Sequence, residues 1–235
     1  MVRLDKLLAD AGMGTRSQVK ELLRRGFVTV DGAVCKKGEQ KVSGQERICC
    51  QGQAVEYARY RYYMLHKPQG VVTATRDARE KTVLDLLKGV HTADLSPVGR
   101  LDKDTEGLLL LTNDGELAHR LLSPKYHVDK CYLARTARPV EAEALAVLEQ
   151  GVDIGDDKPT LPAVAKVNEQ GELLLTIREG RYHQVKRMLR AVDNEVLYLK
   201  RLSFGSLVLP EDLEAGAFRA LTEEEQERLR HDISG

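Results

Sequence analysis

GRLDKDTEGLLLLTNDG, from Gly99 to Gly115, sets a short charged loop directly before an apolar run. Leu108 to Leu111 are four consecutive leucines, the pattern of a strand covered on both faces, and Asn113-Asp114-Gly115 is a strong turn signal that closes it. The loop is therefore expected to be anchored on a buried strand. It crowds Arg100, Asp102, Lys103, Asp104 and Glu106 into a few positions. A carboxylate held beside a cation stays ionised at neutral pH and can act as a nucleophile, which makes Asp102, at the centre, the first catalytic candidate.

The residues of this stretch resemble the catalytic motif of the RsuA/RluB group of RNA pseudouridine synthases, G-R-L-D followed by T-x-G-L-L-L-x-T-N-D-G. Every motif position is matched between Gly99 and Gly115. The resemblance runs on through LHKPQGVV at Leu65 to Val72, LSPKYHVDKCYLA at Leu122 to Ala134, and EGRYHQVKRML at Glu179 to Leu189. Within the group, the second and third of these segments are most similar to the subgroup acting on small-subunit ribosomal RNA.

The chain has 235 residues, enough for one large or two modest domains, with 36 basic and 36 acidic residues and a formal net charge of zero. Charge is segregated: Met1 to Arg59 holds 11 Lys and Arg against 7 Asp and Glu, whereas Glu211 to Asp232 holds 3 against 8. A basic N-terminal part of a neutral chain is the footprint expected of a localised nucleic-acid contact. No apolar run approaches the ~20 residues of a membrane span, and MVRLDKLL lacks a signal-peptide core. A cytoplasmic location is the expectation. Cys35, Cys49, Cys50 and Cys131 lack the C-x-x-C spacing of a zinc site and read as small apolar side chains, so no metal is expected.

In the N-terminal part, Leu4, Leu7, Leu8 and Ala11 follow helical spacing until Gly12 to Gly14. Thr15 and Gln18 stand at capping-box distance ahead of a second helix with Val19, Leu22 and Leu23 inward and Gly26 at its end. Phe27 to Val30 reads as a strand turning at Asp31-Gly32 into Ala33-Val34, with Arg47 to Cys50 a later strand. Arg3-Leu4-Asp5-Lys6, Arg16, Gly26, Val28, Val30, Asp31 and Gly32 resemble the motif of the S4 RNA-binding domain, with Thr15 where serine is usual and Leu23 where isoleucine is. That resemblance implies that Arg3, Lys6, Arg16, Lys20 and Arg24 present cations to RNA phosphates from two adjacent helices. The S4-like module is assigned to residues 1–59, and Gln51 to Arg61 reads as a linker.

Residues 60–235 form the expected catalytic domain. Tyr62 to Leu65 reads as a strand ending in the turn Lys67-Pro68-Gln69-Gly70 and resuming through Val71 to Thr73, with His66 as a hydrogen-bonding turn residue. Helices are expected at Thr82 to Leu87, Glu116 to Leu122, Val140 to Gln150 with Leu145 and Leu148 buried, Tyr182 to Val192, and Thr222 to Arg230 with Glu225 completing a capping box. Strands are expected at Lys130 to Thr136, Leu161 to Val167, Glu172 to Ile177 and Glu195 to Leu202. The fold class is α+β: a small S4-like α/β module, then a catalytic domain built on a mainly antiparallel sheet flanked by helices, the pseudouridine synthase fold that the resemblance implies.

Pseudouridine formation breaks the N1–C1′ bond of a uridine and rejoins the base through C5, with no change of redox state and no cofactor. The resemblance places the nucleophile at Asp102, the active-site tyrosine at Tyr132, and the cation that pairs with Asp102 at Lys186, with Arg187 the alternative on the adjoining helix position. It further implies that Arg100 contacts the phosphate backbone of the flipped nucleotide, that Lys67 and Arg187 touch RNA, and that Arg181, His183 and Gln184 line the cleft. The expected partner of this monomeric enzyme is ribosomal RNA or a pre-ribosomal particle, with 16S rRNA favoured over 23S. A non-catalytic RNA-binding assembly factor would need only the S4-like module. A metal-dependent nuclease using Asp102 with Asp104 would need further ligands that no motif supplies.

Overall fold

The computed structural model describes residues 1–43, 46–55, 57 and 60–234. The chain divides into two units, Met1–Arg61 with Gly89–Asp94, and Tyr62–Lys88 with Leu95–Gly235. The expected boundary at residue 59 lies outside the described residues.

In the first unit β1 (Val2–Arg3) leads into α1 (Leu4–Asp10) and α2 (Arg16–Arg24), followed by β2 (Val28–Val30), β3 (Ala33–Val34), β4 (Lys41–Val42), β5 (Ile48–Cys50) and β6 (Gln53–Ala54). The expected capping box is present: Thr15 accepts from the Gln18 backbone N–H, and the Gln18 side chain accepts from that of Thr15. Leu4, Leu7, Leu8, Val19 and Leu23 are buried against Val28, Val42 and Ile48, and each such side chain stabilises the unit by about 1.5–3 kcal/mol. Leu22 is only partly covered. The four-stranded sheet runs β3-β2-β5-β6. Its last strand overturns part of the linker reading. Gln51 and Gly52 both take positive φ, which closes a tight hairpin and pairs Gln53–Ala54 with β5. The rest of that linker falls partly on residues 56, 58 and 59, outside the described residues.

The second unit contains β7 (Tyr62–Lys67), β8 (Ser96–Pro97), β9 (Glu106–Thr112), α3 (Gly115–Leu122), β10 (Lys130–Thr136), α4 (Ala142–Gln150), β11 (Val164–Val167), β12 (Leu173–Ile177), α5 (Gln184–Ala191), β13 (Val196–Phe204), β14 (Leu207–Val208), β15 (Phe218–Ala220) and α6 (Glu223–His231). A nine-stranded sheet takes the order β11-β12-β10-β13-β9-β7-β15, with β8 on β9 and β14 on β13. Every pairing is antiparallel except β9 with β13. β9 is interior to this sheet, which explains the leucine run: Leu108 to Leu111 are all fully buried, Leu108 and Leu110 joining a core with Met64, Leu117, Leu121, Phe204 and Leu229. Thr222 and Glu225 form the expected capping box at the start of α6.

Two expected elements are absent. Val71 to Thr73 is not a strand, since only Val72 makes a bridge, to Thr82. Thr82 to Leu87 contains only a three-residue 3-10 turn, Leu84–Leu86. Asp85 takes both the Thr82 backbone N–H and hydroxyl, at 2.7 and 3.0 Å, which closes one tight turn, and Leu87 then leaves helical geometry. In α4 Leu148 is buried, but Leu145 is only half-buried. His66 lies inside β7 rather than in a turn, and its expected hydrogen-bonding role is met by the Leu213 carbonyl at 2.6 Å and Glu106 at 2.9 Å.

Where β9 and β13 run parallel, Gly107 lies opposite Arg201 with φ +116°, and a Cβ there would overlap the backbone N, C and O of Arg201. Gly107→Ala is expected to destabilise the chain by about 2–4 kcal/mol in urea unfolding. Gly115→Ala, with open space around it and no positive φ, should stay within ~0.5 kcal/mol of the parent.

Candidate active site

The loop before β9 is held from beneath by a buried lysine. Lys67, the last residue of β7, is fully buried, and its ammonium donates to the carbonyls of Thr105 at 2.9 Å, Pro68 at 3.0 Å and Lys103 at 3.4 Å. Burial pushes it down to about 8, against the pull of the Asp104, Asp102 and Glu106 charges. Gly70 N–H adds a bond to the Lys103 carbonyl, and the Thr73 hydroxyl donates to the Leu101 carbonyl at 2.6 Å while accepting from its N–H. Between Leu101 and Lys103, Asp102 closes a turn by accepting the Thr105 N–H. This overturns the expectation that Lys67 touches RNA. Its donors are committed to three carbonyls, and it supports the loop instead.

Above that support, Asp102 is about one-third exposed, and two groups from the α5 region converge on it. Lys186 Nζ lies 3.0 Å from Asp102 Oδ2 and 2.6 Å from Asp104 Oδ1. Burial opposes the charge on Lys186, but the bonds from Asp104 and Asp102 outweigh it and hold the ammonium above the ordinary lysine range. The same bond from Lys186 holds Asp104 below the usual carboxylate range. His183 places Nε2 3.5 Å from Asp102 Oδ1.

The segment that presents these groups is fixed by internal bonds. Gln184 is buried, accepts the Arg181 N–H and donates to Glu179; Arg181 bonds Glu179 at 2.9 Å and the Lys158 and Pro159 carbonyls at 2.5 and 2.8 Å. Arg187 points away from Asp102: it donates to the Ile154 and Tyr182 carbonyls and pairs with Asp156 at 2.5 Å. Lys186 and Arg187 are adjacent on α5, about 100° apart, so one faces the aspartates and the other the 154–156 segment. Arg187, expected as an RNA contact, and Arg181 and Gln184, expected with His183 to line the cleft, are thus each tied to their own chain. Only His183 of that trio reaches Asp102.

Tyr132 lies on β10 with Lys130 and Ala134, a buried row. In register it faces Leu175 on one side and Arg201 on the other, and Arg201 faces Gly107. The strand pairings thus carry the row from Tyr132 to the start of β9. Arg201 is buried, donates Nε to the Leu108 carbonyl at 2.8 Å and lies over the Phe204 ring, as does Lys130. Burial, with the Arg201 charge adding to it, pushes Lys130 down to about 8. Sequence reasoning missed Lys130 and Arg201 as buried cations, because a lone lysine or arginine at an inward strand position has the local pattern of a surface charge. Arg100 is exposed at the loop's start, with no ion pair among the described residues.

In the first unit the five cations differ in availability. Arg3 pairs with Asp5, Lys6 with Asp10 at 2.7 Å and Arg24 with Glu21 at 2.8 Å, whereas Arg16 and Lys20 are exposed on α2 and have no ion pair among the described residues. Among the described residues no three His, Cys, Asp or Glu side chains are grouped to hold a metal. Among the same residues no helix is long and apolar enough to cross a membrane.

A mixed sheet thus carries a cation-paired aspartate on a braced loop, and a small basic helix-and-strand module precedes it in the chain. Residues 61–191 match the RNA pseudouridylate synthase family and residues 2–48 the S4 domain. The chain is 49% identical over 95% of its length to an uncharacterised RNA pseudouridine synthase of Bacillus subtilis, of which 96% is covered. It is 44% identical over 95% to the ribosomal small subunit pseudouridine synthase A of Vibrio cholerae (97% covered), and 41% over 98% to the ribosomal large subunit pseudouridine synthase B of Bacillus subtilis (96% covered). A solved pseudouridylate synthase superposes with a TM-score of 0.69 at 39% identity, covering 97% of this chain and all of that one. The chain belongs to the RNA pseudouridine synthase family, in the RsuA/RluB group that carries an S4 domain.

Lys186→Met keeps the length and apolar stem of the side chain but strips both aspartates of their cation. Its rate of pseudouridine formation is expected to fall by roughly a hundred-fold. Asp104 is depressed below its unfolded value of 3.8, so its pairing stabilises the fold above pH 3.8 and is lost as pH falls through the lower folded value. The variant should therefore be less stable in urea at neutral pH, by under ~1 kcal/mol because Asp104 is largely exposed, and that gap should close in acid below pH 3.8.

Proposed function

We propose that this chain isomerises one uridine of 16S ribosomal RNA to pseudouridine, with Asp102 as the reacting carboxylate. The observation that carries the reading is Asp102 at the centre of the braced loop, 30% exposed and 3.0 Å from the Lys186 ammonium, which it shares with the more exposed Asp104. In this reading Asp102 opens the N1–C1′ bond of a uridine drawn out of its stack, the base turns, and C5 bonds to C1′ as the C5 proton is lost and N1 gains one. Atoms and charge balance within the substrate, so no cofactor takes part. Lys186 holds Asp102 in an ion pair until the uridine arrives, Tyr132 stacks on the detached base with its hydroxyl toward C5, and Arg100 meets the phosphate of the flipped nucleotide.

Residues 1–59 act as the RNA-binding domain and residues 60–235 as the catalytic domain. Arg16 and Lys20 are ready to take phosphates, while Arg3, Lys6 and Arg24 must exchange their acidic partners for RNA. The enzyme acts as a cytoplasmic monomer on ribosomal RNA or a pre-ribosomal particle. The name of the Vibrio cholerae relative and the small-subunit character of the Leu122–Ala134 and Glu179–Leu189 segments favour 16S rRNA. The Bacillus subtilis large-subunit relative, 41% identical, supports 23S rRNA as the second reading. A purely RNA-binding assembly factor would have no use for a carboxylate bridged to Lys186.

Asp102→Asn replaces one oxygen by an amide of the same size that is neither nucleophilic nor basic. The variant is expected to bind the rRNA transcript as the parent does and to form no pseudouridine. Conversion at an appreciable fraction of the parent rate, read by nucleoside chromatography, would overturn the role of Asp102.

A further inference from the structure

Beside Asp102 stands an aromatic pair to which the reaction as described gives no work. Tyr182 is 76% exposed, far more than the other tyrosines of the second unit, and its ring stacks on the imidazole of His183 with centroids 3.9 Å apart and planes 19° off parallel. His183 is the residue whose Nε2 lies 3.5 Å from Asp102. One face of the tyrosine is thus closed by the imidazole, and the other is open to solvent.

An exposed ring on a loose loop would mean little, but this one stands on a locked backbone. Its carbonyl accepts from Arg187 at 3.1 Å, and its chain neighbours are tied on both sides: Arg181 to Glu179 and the Lys158 and Pro159 carbonyls, and His183 through its carbonyl to the Arg187 N–H. His183 takes the left-handed conformation, φ 49°, which a non-glycine residue holds only at a cost of order 1 kcal/mol. That conformation precedes α5 directly and allows the imidazole to lie under Tyr182 while reaching Asp102. The surroundings therefore hold a two-ring stack in place while leaving its outer face uncovered. Tyr182 hydrocarbon surface gains nothing from that exposure in the free protein.

We propose that Tyr182, backed by His183, is the stacking platform for the base next to the target uridine, and holds the RNA strand open once that uridine has left its stack. The inference rests on the pseudouridine synthase reading of Asp102. The target base itself must reach Asp102, and Tyr182 makes its ring contact with the face of His183, whose Nε2 edge is the one at Asp102, so the tyrosine stands one side chain back from that carboxylate and is placed for a neighbour. Extruding a nucleotide leaves its neighbour without a stacking partner, and an aromatic face returns that contact without reading sequence. Tyr182 is in this sense a positioning residue: it secures the strand and takes no part in bond making.

The test uses the full chain and a 16S rRNA transcript carrying tritium at C5 of its uridines, because C5–C1′ bond formation releases that label to water. Tyr182→Ala is expected to raise KM about ten-fold, within the ~5- to 100-fold that one lost base–aromatic contact accounts for, and to leave kcat on saturating RNA within about two-fold. Tyr182→Phe and Tyr182→Trp should keep the parent KM, and Tyr182→Leu, which fills similar space without a π face, should behave as the alanine variant. Parent KM in Tyr182→Ala would overturn the proposal, as would rescue by leucine or a loss confined to kcat. No tritium release by the parent on 16S transcript, 23S transcript or assembling subunits would instead overturn the synthase reading beneath it.

Discussion

The buried Lys67 ammonium is the contact on which the site depends. A lysine deprived of water is held only if fixed dipoles replace it, and here the carbonyls of Pro68, Lys103 and Thr105 do so. Two of those carbonyls belong to the loop that carries Asp102. The requirement to satisfy one buried cation therefore constrains the path of that loop after Asp102, and the Thr73 clamp on Leu101 constrains it before. The sheet supplies the rest of the frame. Lys67 lies opposite Gly107 in the β7–β9 register, Gly107 opposite Arg201, and Arg201 opposite Tyr132, so the brace, the close approach and the tyrosine form one row of strand pairings.

Against that frame the electrostatics divide into two layers. Beneath the loop and the strands lie cations held by carbonyls and an aromatic ring, Lys67, Lys130 and Arg201, with burial weakening the two lysines to about 8. Above the loop Lys186 is strengthened because two carboxylates face it. The contrast has a plain cause: a carbonyl dipole replaces less of the lost hydration than a full negative charge does.

Much of the frame was legible in local pattern. The leucine run read as a doubly covered strand because four consecutive apolar residues leave no solvent face, and both Ser/Thr-type capping boxes declared their helices through Gln18 and Glu225. What escaped the sequence was long-range. Lys67 sits in a Lys-Pro-Gln-Gly segment that reads as an exposed turn, and its burial depends on carbonyls more than thirty residues away. Arg187 and Lys186 have the same local context, and only the direction of α5 sends one to Asp156 and the other to Asp102. Thr82 to Leu87 has a helix's opening residue, but Asp85 folds back on Thr82 and the turn goes no further. Tyr182 carries no signal in a sequence, because exposure beside the Asp102 loop is a property of the folded chain alone.

The central claim, that a carboxylate on this braced loop isomerises a ribosomal uridine, is met most directly by digesting 16S and 23S rRNA transcripts to nucleosides and sequence-mapped fragments after incubation with the purified chain and a metal chelator, with no cofactor added. The account predicts one position in 16S rRNA at which uridine is replaced by a species of the same mass, with the chromatographic retention of pseudouridine and up to one per transcript. Unchanged uridine at every position of both transcripts, and of the corresponding assembling subunits, would contradict it.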